Sequence, residues 1–124
     1  MSVYDKMSGP ETEVSQFLEE IGVWWRYENP LCVRDKGDRL RLCYPDFHLV
    51  DLGQYVEVCG SEEFEYEDRR TLYKENDCPV IFVEFFKETK WRYYLLQRIQ
   101  EIHEMRKNKI ESALKTAKEK GHLI

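Results

Sequence analysis

Apolar residues recur at three- and four-residue intervals through Val14, Phe17, Leu18 and Ile21. That spacing puts them on one stripe and predicts a helix over residues 11–21. Ser8-Gly9-Pro10 leads into it and Gly22 closes it. Val23-Trp24-Trp25-Arg26-Tyr27 is aromatic and β-branched, which suits a strand. Leu31-Cys32-Val33-Arg34 then forms one arm of a hairpin across the charged turn Lys36-Gly37-Asp38-Arg39. With Gly37-Asp38 as a two-residue turn, Leu31 faces Tyr44, Val33 faces Leu42, Cys32 faces Cys43 and Arg34 faces Arg41.

A second strand covers residues 40–50, interrupted by Pro45, and a third covers 54–59 after the turn Asp51-Leu52-Gly53. Gly60-Ser61 opens a second helix over 62–76. Glu62, Glu63, Glu65, Glu67 and Asp68 crowd its first turns, where the helix dipole favours negative charge. The continuous apolar run at 79–86 has the character of a buried central strand. A long last helix over 88–118 carries Trp91, Tyr94, Leu95, Ile99, Ile102 and Met105 on one stripe. Arg106-Lys107-Asn108-Lys109 interrupts that stripe before Ile110, Ala113, Leu114 and Ala117 resume it. The second half of this helix is placed to pair with a copy of itself. The order α-β-β-β-α-β-α predicts an α/β protein, and 124 residues suit a single domain.

Charge sharpens this picture through its distribution. Residues 1–86 carry 9 Lys and Arg against 19 Asp and Glu, whereas residues 87–124 carry 10 against 5. An acidic body thus precedes a basic final helix. The net charge of −5 argues against a general nucleic-acid coat. No leader-like start and no membrane-length apolar run is present, which predicts a cytoplasmic protein without a membrane partner. Cysteines at 32, 43, 59 and 78 lack zinc-site spacing, so reduced thiols are expected. A Cys32–Cys43 cross-strand disulfide is allowed by the hairpin register alone. Trp24, Trp25, Trp91, Tyr93 and Tyr94 are expected in the core.

The segment that carries chemistry is Tyr44-Pro45-Asp46-Phe47, followed by Glu57-Val58-Cys59-Gly60. Alternation puts Glu57 and Cys59 on one face of the third strand and Val56 and Val58 on the other. Pairing around Asp51-Leu52-Gly53 brings Asp46 beside Glu57. Two adjacent carboxylates make a cation site, and hard ions such as Mg²⁺ take such oxygen ligands together with phosphate oxygens. Together with the first helix, Trp24-x-x-Tyr27-Glu28 and the apolar strand at 80–86, these residues resemble the PD-(D/E)XK nuclease superfamily. The likeness covers most of residues 11–86.

That resemblance implies a restriction-endonuclease-like αβββαβ core with a mixed sheet flanked by helices (about 11–86), plus the long C-terminal helix (about 88–118). It also implies metal-dependent hydrolysis of DNA phosphodiester bonds with Mg²⁺ or Mn²⁺. Asp46 and Glu57 become metal ligands, with the carbonyl of Val58 as a third. Glu11, or alternatively Glu13, completes the acidic set, while Glu28 is structural. Cys59 stands where the family has its lysine, and a neutral thiol supplies no positive charge. Arg69, Arg70 and Lys74 on the second helix are the candidates to replace it. His48 lies at the edge of the motif. Arg34, Lys36, Arg39 and Arg41 form either an exposed hairpin or a basic finger for phosphate. The alternative function is an inactive nuclease fold that binds nucleic acid or associates with a second copy as a homodimer.

Overall fold

The first helix is fixed at its start by a reciprocal cap. Ser8 Oγ accepts from the Glu11 amide at 3.2 Å, and the Glu11 carboxylate accepts from the Ser8 amide at 3.3 Å. Pro10 occupies the first turn, where its missing N–H does no harm. Helix α1 (Gly9–Glu20) then buries Val14, Phe17 and Leu18 and ends at Gly22, whose φ of 75° suits a residue without a side chain. The computed structural model describes residues 2–61 and 66–122.

Strands β1 (Trp25–Tyr27), β2 (Leu31–Arg34), β3 (Leu40–Cys43), β4 (Phe47–Leu49) and β5 (Gln54–Cys59) follow. Helix α2 (Glu67–Glu75), strand β6 (Val80–Glu84) and helix α3 (Trp91–Glu119) complete the chain. The protein is α/β, with a mixed four-stranded sheet in the order β1-β4-β5-β6 and a separate β2-β3 ribbon. β5 and β6 run parallel, joined through α2, and the other pairs are antiparallel. Val56 and Val58 turn toward α1 and α3, in a core with Phe47, Leu49, Ile81, Val83, Trp91 and Leu95. Cys59 turns the other way, into a smaller cluster with Val33, Tyr73 and Phe82 beneath α2 and the ribbon.

Three expectations change. The hairpin register is shifted by one: Leu31 faces Cys43, Cys32 faces Leu42, Val33 faces Arg41 and Arg34 faces Leu40. The cause is the turn. Asp35 Oδ1 accepts from the amides of Gly37 and Arg39, and the positive φ falls on Asp38 (59°). This closes a three-residue loop instead of the two-residue one. Cys32 and Cys43 are therefore not partners, and all four thiols are free. Arg34 escapes Arg41 and pairs with Asp38 at 3.2 Å. Second, Pro45 ends β3 altogether, so the expected strand over 40–50 divides between two sheets. Third, Trp24 and Tyr93 are exposed, while Trp91 is buried and Trp25 partly so. The start of the second helix at Glu62, with its Glu63 and Glu65, lies outside the described residues.

Asn76 adds a polar tie to the apolar contact of the ribbon with α2. Asn76 Nδ2 donates to the Arg34 carbonyl at 2.9 Å and to the Leu72 carbonyl at 2.8 Å, while its Oδ1 accepts from the Arg34 amide at 2.8 Å. The amide thereby imitates a neighbouring strand. Asn76→Ala is expected to lower stability by about 0.5–1.5 kcal/mol, the usual net range for an intramolecular hydrogen bond, because its contacts with Arg34 are exposed. A larger gain in hydrogen exchange at the Arg34 amide than at the β5 amides, which report global unfolding, checks this.

Helix α3 buries Trp91, Leu95 and Ile102, but Met105, Ile110 and Leu114 are exposed. Arg106, which breaks the apolar stripe, acts as a clamp. Its guanidinium donates to the carbonyls of Leu52 and Gly53 at 2.5 Å each. Gly53 has φ +61°, which favours glycine, and a Cβ there would crowd Arg106 Nη1 at 3.3 Å. Among the described residues, no helix is long and apolar enough to cross a membrane.

Candidate functional site

The site forms where β4 begins and β5 ends. Phe47 faces Val56 in the β4–β5 ladder, and one further step along that register sets Asp46 level with Glu57. Asp46 Oδ2 accepts from the Val58 amide at 2.6 Å. Val58 thus joins the site through its N–H, with its side chain in the core. Glu57 is only 2% exposed, and its Oε2 accepts from Arg69 Nη1 at 3.0 Å. Its other oxygen, Oε1, is buried with no hydrogen-bond partner among the described residues.

These surroundings hold both acids toward their neutral forms. Burial pushes Asp46 up to about 6, with the Val58 N–H opposing and Glu11 adding to the rise. Burial pushes Glu57 up to about 7, reinforced by Asp46 and opposed by Arg69. The site carries more carboxylate than its single guanidinium offsets.

Glu11 belongs to this group. Its charge acts on both Asp46 and Glu57, and its Oε2 accepts from the Tyr27 hydroxyl at 2.6 Å. Burial raises the Tyr27 pKa, and the contact with Glu11 adds to the rise. Glu13 is exposed on the next face of α1, so the choice between the two falls to Glu11. Glu28 holds the strand start: at φ 51°, its amide donates to the Asp46 carbonyl at 3.0 Å. His48 is occupied structurally, stacked on Tyr55 at 4.6 Å and hydrogen-bonded to Asn29 at 2.9 Å. Burial and Arg26 lower its pKa.

Of the three basic candidates on α2, Arg69 reaches the acids. Arg70 pairs with Glu84 at 2.7 Å and lies over the Phe82 ring at 4.5 Å. Lys74 lines a separate groove. Cys59 is fully buried, and burial pushes its thiol up to about 12, so it is neutral near pH 7. Arg34, Lys36, Arg39 and Arg41 are exposed on the ribbon, and none makes a hydrogen bond or ion pair with Asp46 or Glu57 among the described residues.

Among the described residues, no three His, Cys, Asp or Glu side chains form a ready-made metal cluster. Each acid is held partly by protein: Glu57 by Arg69, Asp46 by Val58, and Glu11 by Tyr27 and Ser8. What fits a hard cation is the donor set itself, all carboxylate oxygen, with Glu57 Oε1 lacking any donor. Sequence reasoning missed Tyr27 as the residue that holds Glu11. Its place in Trp24-x-x-Tyr27-Glu28 and its alternation with Trp25 on β1 were the available signals. A comparison with protein-family models, curated proteins and solved structures finds no match.

Proposed function

We propose that this chain is a metal-dependent nuclease-like protein of restriction-endonuclease-like architecture, acting on DNA phosphodiester bonds at Asp46 and Glu57. The observation that carries this reading is the buried Glu57 carboxylate with one unpartnered oxygen, level with Asp46 on the neighbouring strand. Its support in the fold is the order α1-β1-β4-β5-α2-β6, an αβββαβ sequence into which the β2-β3 ribbon is inserted.

Asp46 and Glu57, with Glu11 beside them, would hold Mg²⁺ or Mn²⁺. The ion would supply a Lewis acid and an activated water for phosphodiester hydrolysis. The chain's own residues do the rest. Val58 N–H and Arg69 fix one oxygen of each carboxylate. Arg69, 59% exposed at its side chain, presents a permanent positive charge at the mouth of the site. That is the charge a lysine at Cys59 would otherwise bring. The exposed arginines of the ribbon offer phosphate contacts beyond the site.

Calorimetric titration with Mn²⁺ tests this. Saturable binding is expected, with loss of binding and a fall of about a hundredfold or more in metal-dependent DNA cleavage in Asp46→Ala. Wild-type protein giving no saturable Mn²⁺ heat would sink the proposal. The exposed basic ribbon favours a second reading, an inactive fold that binds DNA without cutting it. Steeply salt-dependent DNA binding without cleavage would select it. The exposed Ile110 and Leu114 on α3 similarly offer a surface for homodimer formation.

A further inference from the structure

Between α2, the outer edge of β6 and α3 runs a groove of about 610 Å³. Asp46, Glu57, Glu11 and Arg69 do not line it. Its size falls in the range of small-molecule sites. Its walls carry Arg70, Lys74, Arg98, Arg106 and Lys109 against a single carboxylate, Asp77. This is a local reversal of charge in a chain whose net charge is −5.

The five cations are not equivalent. Arg70 is paired with Glu84, Arg98 with Glu101, and Arg106 is committed to the carbonyls of Leu52 and Gly53. Lys74 and Lys109 make no hydrogen bond or ion pair among the described residues. One comes from α2 and the other from α3, so the two uncommitted ammonium groups lie on different walls of the groove. Apolar surface from Val80, Phe82, Ile102 and Met105 lies between them.

An inorganic anion would leave that apolar surface unused. An aliphatic anion would use the apolar surface but leave Asp77 without a donor. A nucleobase suits both features, because its face stacks on guanidinium planes and apolar side chains and its amino groups donate to a carboxylate. We infer that this groove binds a nucleoside phosphate, with the phosphate between Lys74 and Lys109 and the base against Met105 and Ile102. The ligand is either a free nucleotide or the terminal nucleotide of a single strand.

The test uses the full chain in EDTA, so that it does not depend on the acidic site. The methyl signal of Met105 is followed by NMR during titration with deoxyguanosine monophosphate or a 5′-phosphorylated trinucleotide. A saturable shift of Met105 is expected, with Met7 unmoved. Lys74→Glu/Lys109→Glu should weaken binding about tenfold or more, and Asp46→Ala should leave it unchanged. Tighter binding of the mononucleotide identifies a free nucleotide, and tighter binding of the trinucleotide identifies a strand end. The inference is overturned if Met105 does not move at millimolar ligand. It is equally overturned if the double charge reversal has no effect, or if inorganic phosphate binds as tightly as the nucleotide.

Discussion

Changing Glu57 to glutamine is expected to stabilise the protein at pH 8 in EDTA while removing its response to Mn²⁺. The ordinary glutamate value is 4.5, and burial beside Asp46 pushes Glu57 up to about 7. Between those two pH values the folded chain holds a proton that the unfolded chain has released. Stability therefore falls as pH rises through this window and levels off above it. Asp46, raised from 3.8 to about 6, adds a loss of the same sign at slightly lower pH. For Glu57 the effect is on the order of 3 kcal/mol, or roughly 10 °C or more for a domain of this size.

Glutamine retains an oxygen for Arg69 and never ionises. The variant should match wild type near pH 4.5 and exceed it at pH 8. Mn²⁺ should raise the wild-type melting temperature at pH 8 and leave the variant unmoved, since only the folded carboxylates bind the ion. Thermal melts of both proteins at pH 4.5, 6 and 8, with and without metal, measure all of this. Parallel pH curves for the two proteins would refute the assignment of Glu57 as the strained acid.

Phe47→Ala is expected to have the largest effect on stability. Phe47 is fully buried, with Trp25 at 5.2 Å and Tyr27 at 5.8 Å in edge-on contact. Emptying that space should destabilise the protein by about 3–5 kcal/mol. That is a large share of the roughly 5–15 kcal/mol available to a domain. The damage reaches the site by two routes. Phe47 is the covalent neighbour of Asp46, and its ring supports Tyr27, whose hydroxyl holds Glu11. Phe47→Leu, which keeps most of the volume, should lose under about 1.5 kcal/mol. Urea melts with an unchanged m-value distinguish the two, and a loss below about 1 kcal/mol for the alanine variant would contradict the packing argument.

The elements that could be read from sequence are those whose periodicity is reinforced by a boundary signal. Helix α1 has its stripe, its Pro10 and its Gly22. Strand β5 lies between Gly53 and Gly60, and its period of two sends Val56 and Val58 one way and Glu57 and Cys59 the other. The pairing of Asp46 with Glu57 was legible only to within one residue, because the turn spans residues 50–53 and closes on Leu49 and Gln54, one residue longer than the Asp51-Leu52-Gly53 turn expected from sequence. The ribbon was not legible, because a single carboxylate decides it. Asp35 lengthens the loop by one residue, and with a period of two that slip leaves Leu40 and Leu42 on the exposed face. The choice among Arg69, Arg70 and Lys74 was equally hidden. It depends on how α2 is rotated against the sheet, and neighbouring helical residues point about 100° apart. The roles of Asn76 and Arg106 were not legible, although Arg106 breaks the apolar stripe of α3, since each binds the backbone of residues more than forty positions away.

The contact of Arg106 with the turn at Leu52 and Gly53 divides α3 into two physical regimes. Up to that point the helix rests on the sheet. Beyond it, about thirteen residues continue with little to lean on, a length at which an isolated peptide in water is marginally helical. Their order is inherited: the anchored turns have already met the entropic barrier of starting a helix, so each later residue need only extend it. Helical content in this outer stretch should thus melt gradually from its free end, ahead of the cooperative unfolding of the sheet.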